Sequence, residues 1–208
     1  MDEKFNHEES LSLINEMINR AQNNVKKEKT YSMIYWGYVT AVAAVINCVL
    51  LHTLNDPKQS FWIWSVTIPA GIVSYFIERR FSRENFVKTH IDKIFSKLWV
   101  GYNISAAVIM VVLFSVAFKF EMHLIFFLVT PVILAMVGMA QFATACIFRS
   151  KMWYAIAALF WVGAIVCAFL TTGMRTVSMQ FAVFAVCMIL GYIVPGHIMN
   201  RQAKKNNV

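Results

Sequence analysis

The first thirty residues mix polar and apolar positions at helical spacing, and from Tyr31 onward the chain passes into long apolar runs. Six such runs follow, at about 31–53, 60–77, 98–118, 122–148, 152–172 and 177–199. Each is near the ~20 residues that a helix rising 1.5 Å per residue needs to cross about 30 Å of hydrocarbon. The ten-residue alternation of a barrel strand occurs nowhere. The pattern predicts an all-α protein, a polytopic transmembrane bundle of six helices. It divides the chain into a cytoplasmic amphipathic helix within 1–30, a six-helix domain over 31–199 and a cytoplasmic tail at 200–208. No short apolar core with a small-residue cleavage site precedes the first run, so span one is expected to serve as its own insertion signal.

The amphipathic helix is read from Leu11, Ile14, Ile18, Ala21 and Val25, which repeat at spacings of three and four with Leu13 and Met17 alongside. Asn6 is placed to cap its start, with Glu9 at the capping-box position. Acids gather early (Glu8, Glu9) and bases late (Lys26, Lys27, Lys29), which suits the helix dipole. Two uses fit this stripe: lying on the bundle or on anionic lipid, or docking a protein partner as a short coiled coil. The connector at 79–97 has a similar face in Val87, Ile91 and Ile94, with Ser82 as its expected cap. It reads as a helix running into span three.

Composition supports a membrane as the solvent. Hydrophobic residues make up 59% of the 208 and charged residues 14%, with a mean hydropathy of +0.57. An ordinary globular domain is about half apolar and about a quarter charged. The net charge of +8 could suggest nucleic acid, but its distribution argues otherwise. With a cytoplasmic N-terminus, all but three of the 19 Lys and Arg fall in inside segments; only Lys58, Lys119 and Arg175 lie outside. Basic residues resist translocation, so this split orients the bundle with both termini inside. Tyr35, Trp36, Trp99, Tyr102, Trp153 and Tyr154 near the inner boundary, and Phe61, Trp62 and Trp64 near the outer, read as interfacial anchors. The bilayer is the one certain partner, a cytoplasmic protein or a second copy of the chain is the other candidate, and nucleic acid is not expected.

The chain also carries internal similarity. Ser96-Lys97-Leu98-Trp99 and Ser150-Lys151-Met152-Trp153 open spans three and five alike, and Pro69, Pro131 and Pro195 fall one to each even span. Three parallel hairpins would account for this, as would the ordinary preference of Trp and Lys for the inner interface.

Polar side chains at depth are the best functional candidates, because burying them in hydrocarbon is costly. Four qualify: Asn47, Asn103, Gln141 and Gln180, as the lining of a polar cavity or as interhelical contacts. Glu78 stands beside Arg79 and Arg80, where ion pairing at the interface is expected. The five histidines form no HExxH pair, and Cys48, Cys146, Cys167 and Cys187 lack CxxC spacing; the thiols are expected to be free, buried and inert. A GxSxG elbow, a phosphate loop and paired acids are all missing. The expectation is therefore no enzyme, no metal and no cofactor. Pro69 and Pro131 are expected to kink their spans, with Thr67 or Thr130 satisfying freed carbonyls. Gly71, Gly138, Gly163 and Gly191, with Ala164 and Ala168, are expected to allow close helix approach.

From Met139 through Trp161, and at Gly191-Tyr192-Ile193-Val194-Pro195-Gly196-His197, the chain resembles a group of small uncharacterised bacterial six-span inner-membrane proteins. That group carries no established activity, so the resemblance implies inner-membrane location and topology alone. Two function classes follow: a non-enzymatic membrane component that docks or regulates a partner, and a small-solute carrier or its substrate-binding subunit. A reporter active only outside the cytoplasm, fused after Val208, is expected to stay silent; activity would overturn the orientation.

Overall fold

A computed structural model describes residues 7–54, 57–84, 90–120, 123–170 and 174–205. The described residues form seven α-helices: α1 (His7–Thr53), α2 (Thr67–Glu84), α3 (His90–Lys119), α4 (Val129–Phe148), α5 (Lys151–Phe169), α6 (Met174–Met188) and α7 (Val194–Lys205). Among the described residues there is no strand. Six helical stretches are long and apolar enough to cross a membrane: Thr30–Thr53, Gln59–Arg80, Lys93–Lys119, Ile125–Phe148, Lys151–Phe169 and Val177–Arg201. The protein is a six-span all-α bundle.

The expected N-terminal helix and span one are one element. α1 runs for 47 residues, about 70 Å, because no proline or glycine interrupts the chain between the amphipathic stretch and Gly37. Asn6 lies outside the described residues, as do the side chains of the stripe Leu11, Ile14, Ile18, Ala21 and Val25. In the connector, Ser82 is not a cap: α2 continues through it to Glu84. The expected single helix over 79–97 is instead the end of α2 and the start of α3, with 85–89 outside the described residues.

The prolines stand at changes of helix type. Pro69 and Pro131 are each the third residue of their α-helix, following the 3₁₀ segments Pro57–Val66 and His123–Leu128. Pro195 is the second residue of α7, following the π-helical segment Ile189–Ile193. In a first turn the amide N–H has no intrahelical acceptor, so proline is tolerated there in spans two and four. The Thr67 hydroxyl donates to the Trp64 carbonyl at 2.7 Å, at the 3₁₀-to-α junction. Span six differs, because Pro195 stands near its far end and follows a π-helical turn.

Packing is uneven. α4 pairs with α5 and α1 with α6, and these four hold most of the core, including Ala41, Ala44, Leu134, Val137, Phe160, Cys167, Phe181 and Phe184. The α6–α7 span is 56% buried and span three only 6%. On α1 the logic of a soluble helix is inverted: Gly37, Ala41 and Ala44 face inward, while Val42, Val45 and Val49 face outward. Lipid chains are as apolar as valine, so association depends on close fit, and small residues permit it. A β-carbon on Gly37 would lie 2.9 Å from both Tyr192 Cβ and Ile193 Cγ1. Together with the Gly196–Ile34 contact, this sets α1 antiparallel to α6 and α7, so the first part of span one and the end of span six lie at one end of the bundle. α2 is clasped to α1 by polar bonds: Tyr35 OH donates to the Ala70 carbonyl at 3.0 Å and Trp36 Nε1 to Ser74 Oγ at 3.2 Å.

Close approach also governs α5 against α6. A β-carbon on Gly163 would stand 2.5 Å from Cys187 Sγ, well inside van der Waals contact. Gly163→Ala is expected to lower thermal stability, with an overpacking cost of about 1–3 kcal/mol. Cys187→Ala should recover most of that loss in a double-mutant cycle of melting temperatures. Additive effects of the two changes would show that the helices do not meet there. Gly71 and Gly101 have nothing within 4 Å of such a β-carbon, so the expected close packing at Gly71 does not occur.

Candidate functional site

The four polar candidates do not converge on one axial cavity. Asn47 extends the inward stripe of α1 by one turn beyond Ala44 and is fully buried, with neither amide atom hydrogen-bonded. Antiparallel pairing with α6 puts it level with about residue 182, roughly 15 Å along the bundle from Tyr192. Gln180 is in the same half but faces α5: its Nε2 donates to the Cys167 carbonyl at 2.9 Å, and the Cys167 thiol donates to the Gln180 carbonyl at 3.7 Å. That reciprocal pair is an interhelical contact of the expected kind.

Asn103 departs from expectation. It is exposed on α3, and its Nδ2 donates to the Trp99 carbonyl of its own helix at 2.9 Å. It lines no cavity. Glu78 accepts from the hydroxyls of Ser32 at 3.3 Å and Ser74 at 3.4 Å, which makes it part of the α1–α2 clasp. All four cysteines are free, but only Cys167 and Cys187 are buried; Cys146 is exposed and Cys48 half-buried. Among the described residues no group of His, Cys, Asp and Glu could hold a metal ion.

Gln141 is where polar and aromatic groups do meet. It is fully buried on α4, and both its amide atoms lack a hydrogen bond. The Tyr192 side chain stands near its amide in a geometry short of a hydrogen bond, with Tyr102 near Tyr192 in turn. The Tyr192 ring lies edge-on to Phe160 at 5.7 Å between centroids and to Trp99 at 6.4 Å, while Trp99 meets Tyr102 at 5.4 Å. Trp99 Nε1 is a further buried atom without a partner. The cluster therefore draws on α3, α4, α5 and the π-helical segment between α6 and α7.

Local sequence explains the π-helical turn. Pro195 has no N–H to give the Gly191 carbonyl in the α pattern, and the turn widens so that Val194 N–H bonds the Ile189 carbonyl, five residues back. The widened turn carries Tyr192 toward Gln141. Gly191 makes room for the neighbouring Phe160 ring, whose Cε2 would be 2.5 Å from a β-carbon there. Reading Trp99 and Tyr102 as interfacial anchors missed their place in this cluster. The proline four residues after Gly191, within an otherwise apolar span, was the available signal.

Comparisons with known protein families, with curated proteins and with solved structures give no match to this chain.

An unsatisfied buried polar group costs about 1–3 kcal/mol, whereas an apolar group of similar shape costs nothing comparable. Asn47→Leu is therefore expected to raise the melting temperature in mild detergent. Gln180→Leu should leave the protein less stable than Asn47→Leu, because it gives up the bond to the Cys167 carbonyl and removes one unpaired atom, Oε1, where Asn47→Leu removes two. Equal shifts for the two changes would contradict this assignment.

Proposed function

We infer that the protein is a non-enzymatic, multi-pass component of the cytoplasmic membrane of a bacterial cell, with both termini inside, and that it docks or regulates a cytoplasmic protein through the N-terminal part of α1. The observation that carries this reading is the continuity of α1. Its 47 residues span about 70 Å, more than twice the hydrocarbon thickness, and the part before Thr30 continues for about 35 Å as a rigid extension of a membrane helix. A helical backbone continuous with a membrane span is already ordered, which lowers the cost of binding a partner along the apolar repeat of Leu11, Ile14, Ile18, Ala21 and Val25 in its sequence. Burying a Leu or Ile fully is worth about 1.5–3 kcal/mol, so such a stripe favours an occupant, either a partner protein or a second copy of the chain.

The carrier reading has less support. Asn103 is turned outward and Gln180 is bonded across α5 and α6, so the polar residues that would line a path stand apart. The location and orientation rest on the distribution of Lys and Arg and on the resemblance to bacterial inner-membrane proteins.

Deleting residues 2–24 keeps Lys26, Lys27 and Lys29 beside span one. The truncated protein is expected to insert with six spans and to lose a crosslinked partner seen with the full chain. Failure to insert would assign the helix to assembly of the fold. Insertion with every crosslink retained would refute docking.

A further inference from the structure

Positive charge gathers where the start of α3 meets the turn between α4 and α5. Lys93 and Lys97 lie in the first turns of α3, Arg149 and Lys151 bracket Ser150 in the turn, and all four are exposed. The Phe95 and Phe148 rings meet at 5.6 Å between centroids, which sets the two places side by side. The sequence supplies little to neutralise them. Asp92 adjoins Lys93, but Lys97, Arg149 and Lys151 have no acid at i,i+3 or i,i+4 spacing. Between Lys93 and Lys151 the one acid is Glu121, beyond the far end of α3, and none follows it to Val208. Glu78 on α2 is engaged by Ser32 and Ser74. Arg149 also has a left-handed backbone (φ 48°, ψ 41°), alone among the described non-glycine residues. Glycine or asparagine commonly fills such a position after a helix, so the chain keeps a cation where an uncharged residue would sit with less strain. Height in the membrane selects the anion. Phe148 ends one candidate span and Lys151 begins the next, and Val100, Phe142, Phe148 and Tyr154 expose rings or apolar side chains within a few turns of the charges. A dissolved anion gains nothing from that apolar border, whereas a phospholipid brings its phosphate and its acyl chains together.

We propose that this face, with Arg149 and Lys151 at its centre and Lys97 at its flank, docks an anionic phospholipid of the phosphatidylglycerol type, its headgroup phosphate at the cations and its acyl chains against the apolar residues beside them. The proposal rests on the chain being embedded in a membrane and is independent of the docking role of α1.

The test is native mass spectrometry of the full chain in mild detergent, titrated with dioleoylphosphatidylglycerol and, as reference, with dioleoylphosphatidylcholine, which has the same chains and no net charge. The anionic lipid is expected to bind at least about fivefold more tightly, the effect of a single basic residue near a lipid surface. Arg149→Asn with Lys151→Gln should weaken it about tenfold or more and remove most of the preference, and Lys151→Gln alone should weaken it about fivefold. Asparagine suits the left-handed position, so the double variant should melt close to the parent without lipid, which separates lost binding from lost folding. Lys119→Gln with Arg175→Gln removes two charges from the opposite ends of the spans and should leave the preference unchanged. Equal affinity for the two lipids, or equal losses in the two double variants, would overturn the proposal. So would displacement of the lipid by equimolar glycerol 3-phosphate, which would make the ligand a free phosphate, or by an equimolar polyglutamate peptide, which would make it an acidic protein segment.

Discussion

In hydrocarbon every peptide N–H and C=O must find a partner within the chain, and the arrangement of this bundle follows from how that demand is met. Three of the four prolines lie in even-numbered spans, where a missing N–H is tolerated only in a first turn. Spans two and four meet the demand by entering through 3₁₀ segments and starting their α-helices just before Pro69 and Pro131. Span six cannot do the same, because Pro195 comes late in it; the chain widens into a π-helical turn before restarting as α7. That single adjustment carries Tyr192 to Gln141 and Trp99, so the most unusual side-chain cluster in the protein is a consequence of one proline's position.

Packing supplies the second layer. Small residues on α1 and α5 let α6 approach closely from both sides, which gives the α6–α7 span its high burial. α2 and α3 flank this core with most of their surface outward. α2 is held to α1 by Tyr35, Trp36, Ser32, Ser74 and Glu78, a polar clasp near one boundary. At its Trp99 end α3 meets the bundle through ring contacts, Phe95 with Phe148 and Trp99 with Tyr192. A bundle with a tight centre and a loosely held flank has its natural opening at that flank.

Much of this was legible in the sequence, and the failures have physical causes. Six spans follow from length and hydropathy, which do not depend on packing. Burial of Asn47, Gln141 and Gln180 followed from depth. Asn103 failed because depth fixes height in the membrane but not rotation: α3 is apolar all round, so no periodicity tells which face turns to lipid. The continuity of α1 was in the sequence, since neither proline nor glycine separates Lys29 from Tyr31. Where Pro69 and Pro131 fall relative to a helix start is a tertiary matter, because an apolar run reads the same whether its first turns are 3₁₀ or α.

The account depends on the antiparallel register of α1 against α6 and α7, which places Gln141 and Asn47 at different heights and joins Tyr192 to the wall of α1. Gly37→Cys with Tyr192→Cys, in a chain whose four native cysteines are alanine, measures that register directly, since a β-carbon at 37 would stand 2.9 Å from that of Tyr192. Disulfide bonds form at Cβ separations of about 3.5–4.5 Å, a small relaxation away. The account predicts rapid, nearly complete crosslinking on mild oxidation, and none for Gly71→Cys paired with the same Tyr192→Cys. Failure of the first pair to crosslink, or equal crosslinking by both, would contradict it.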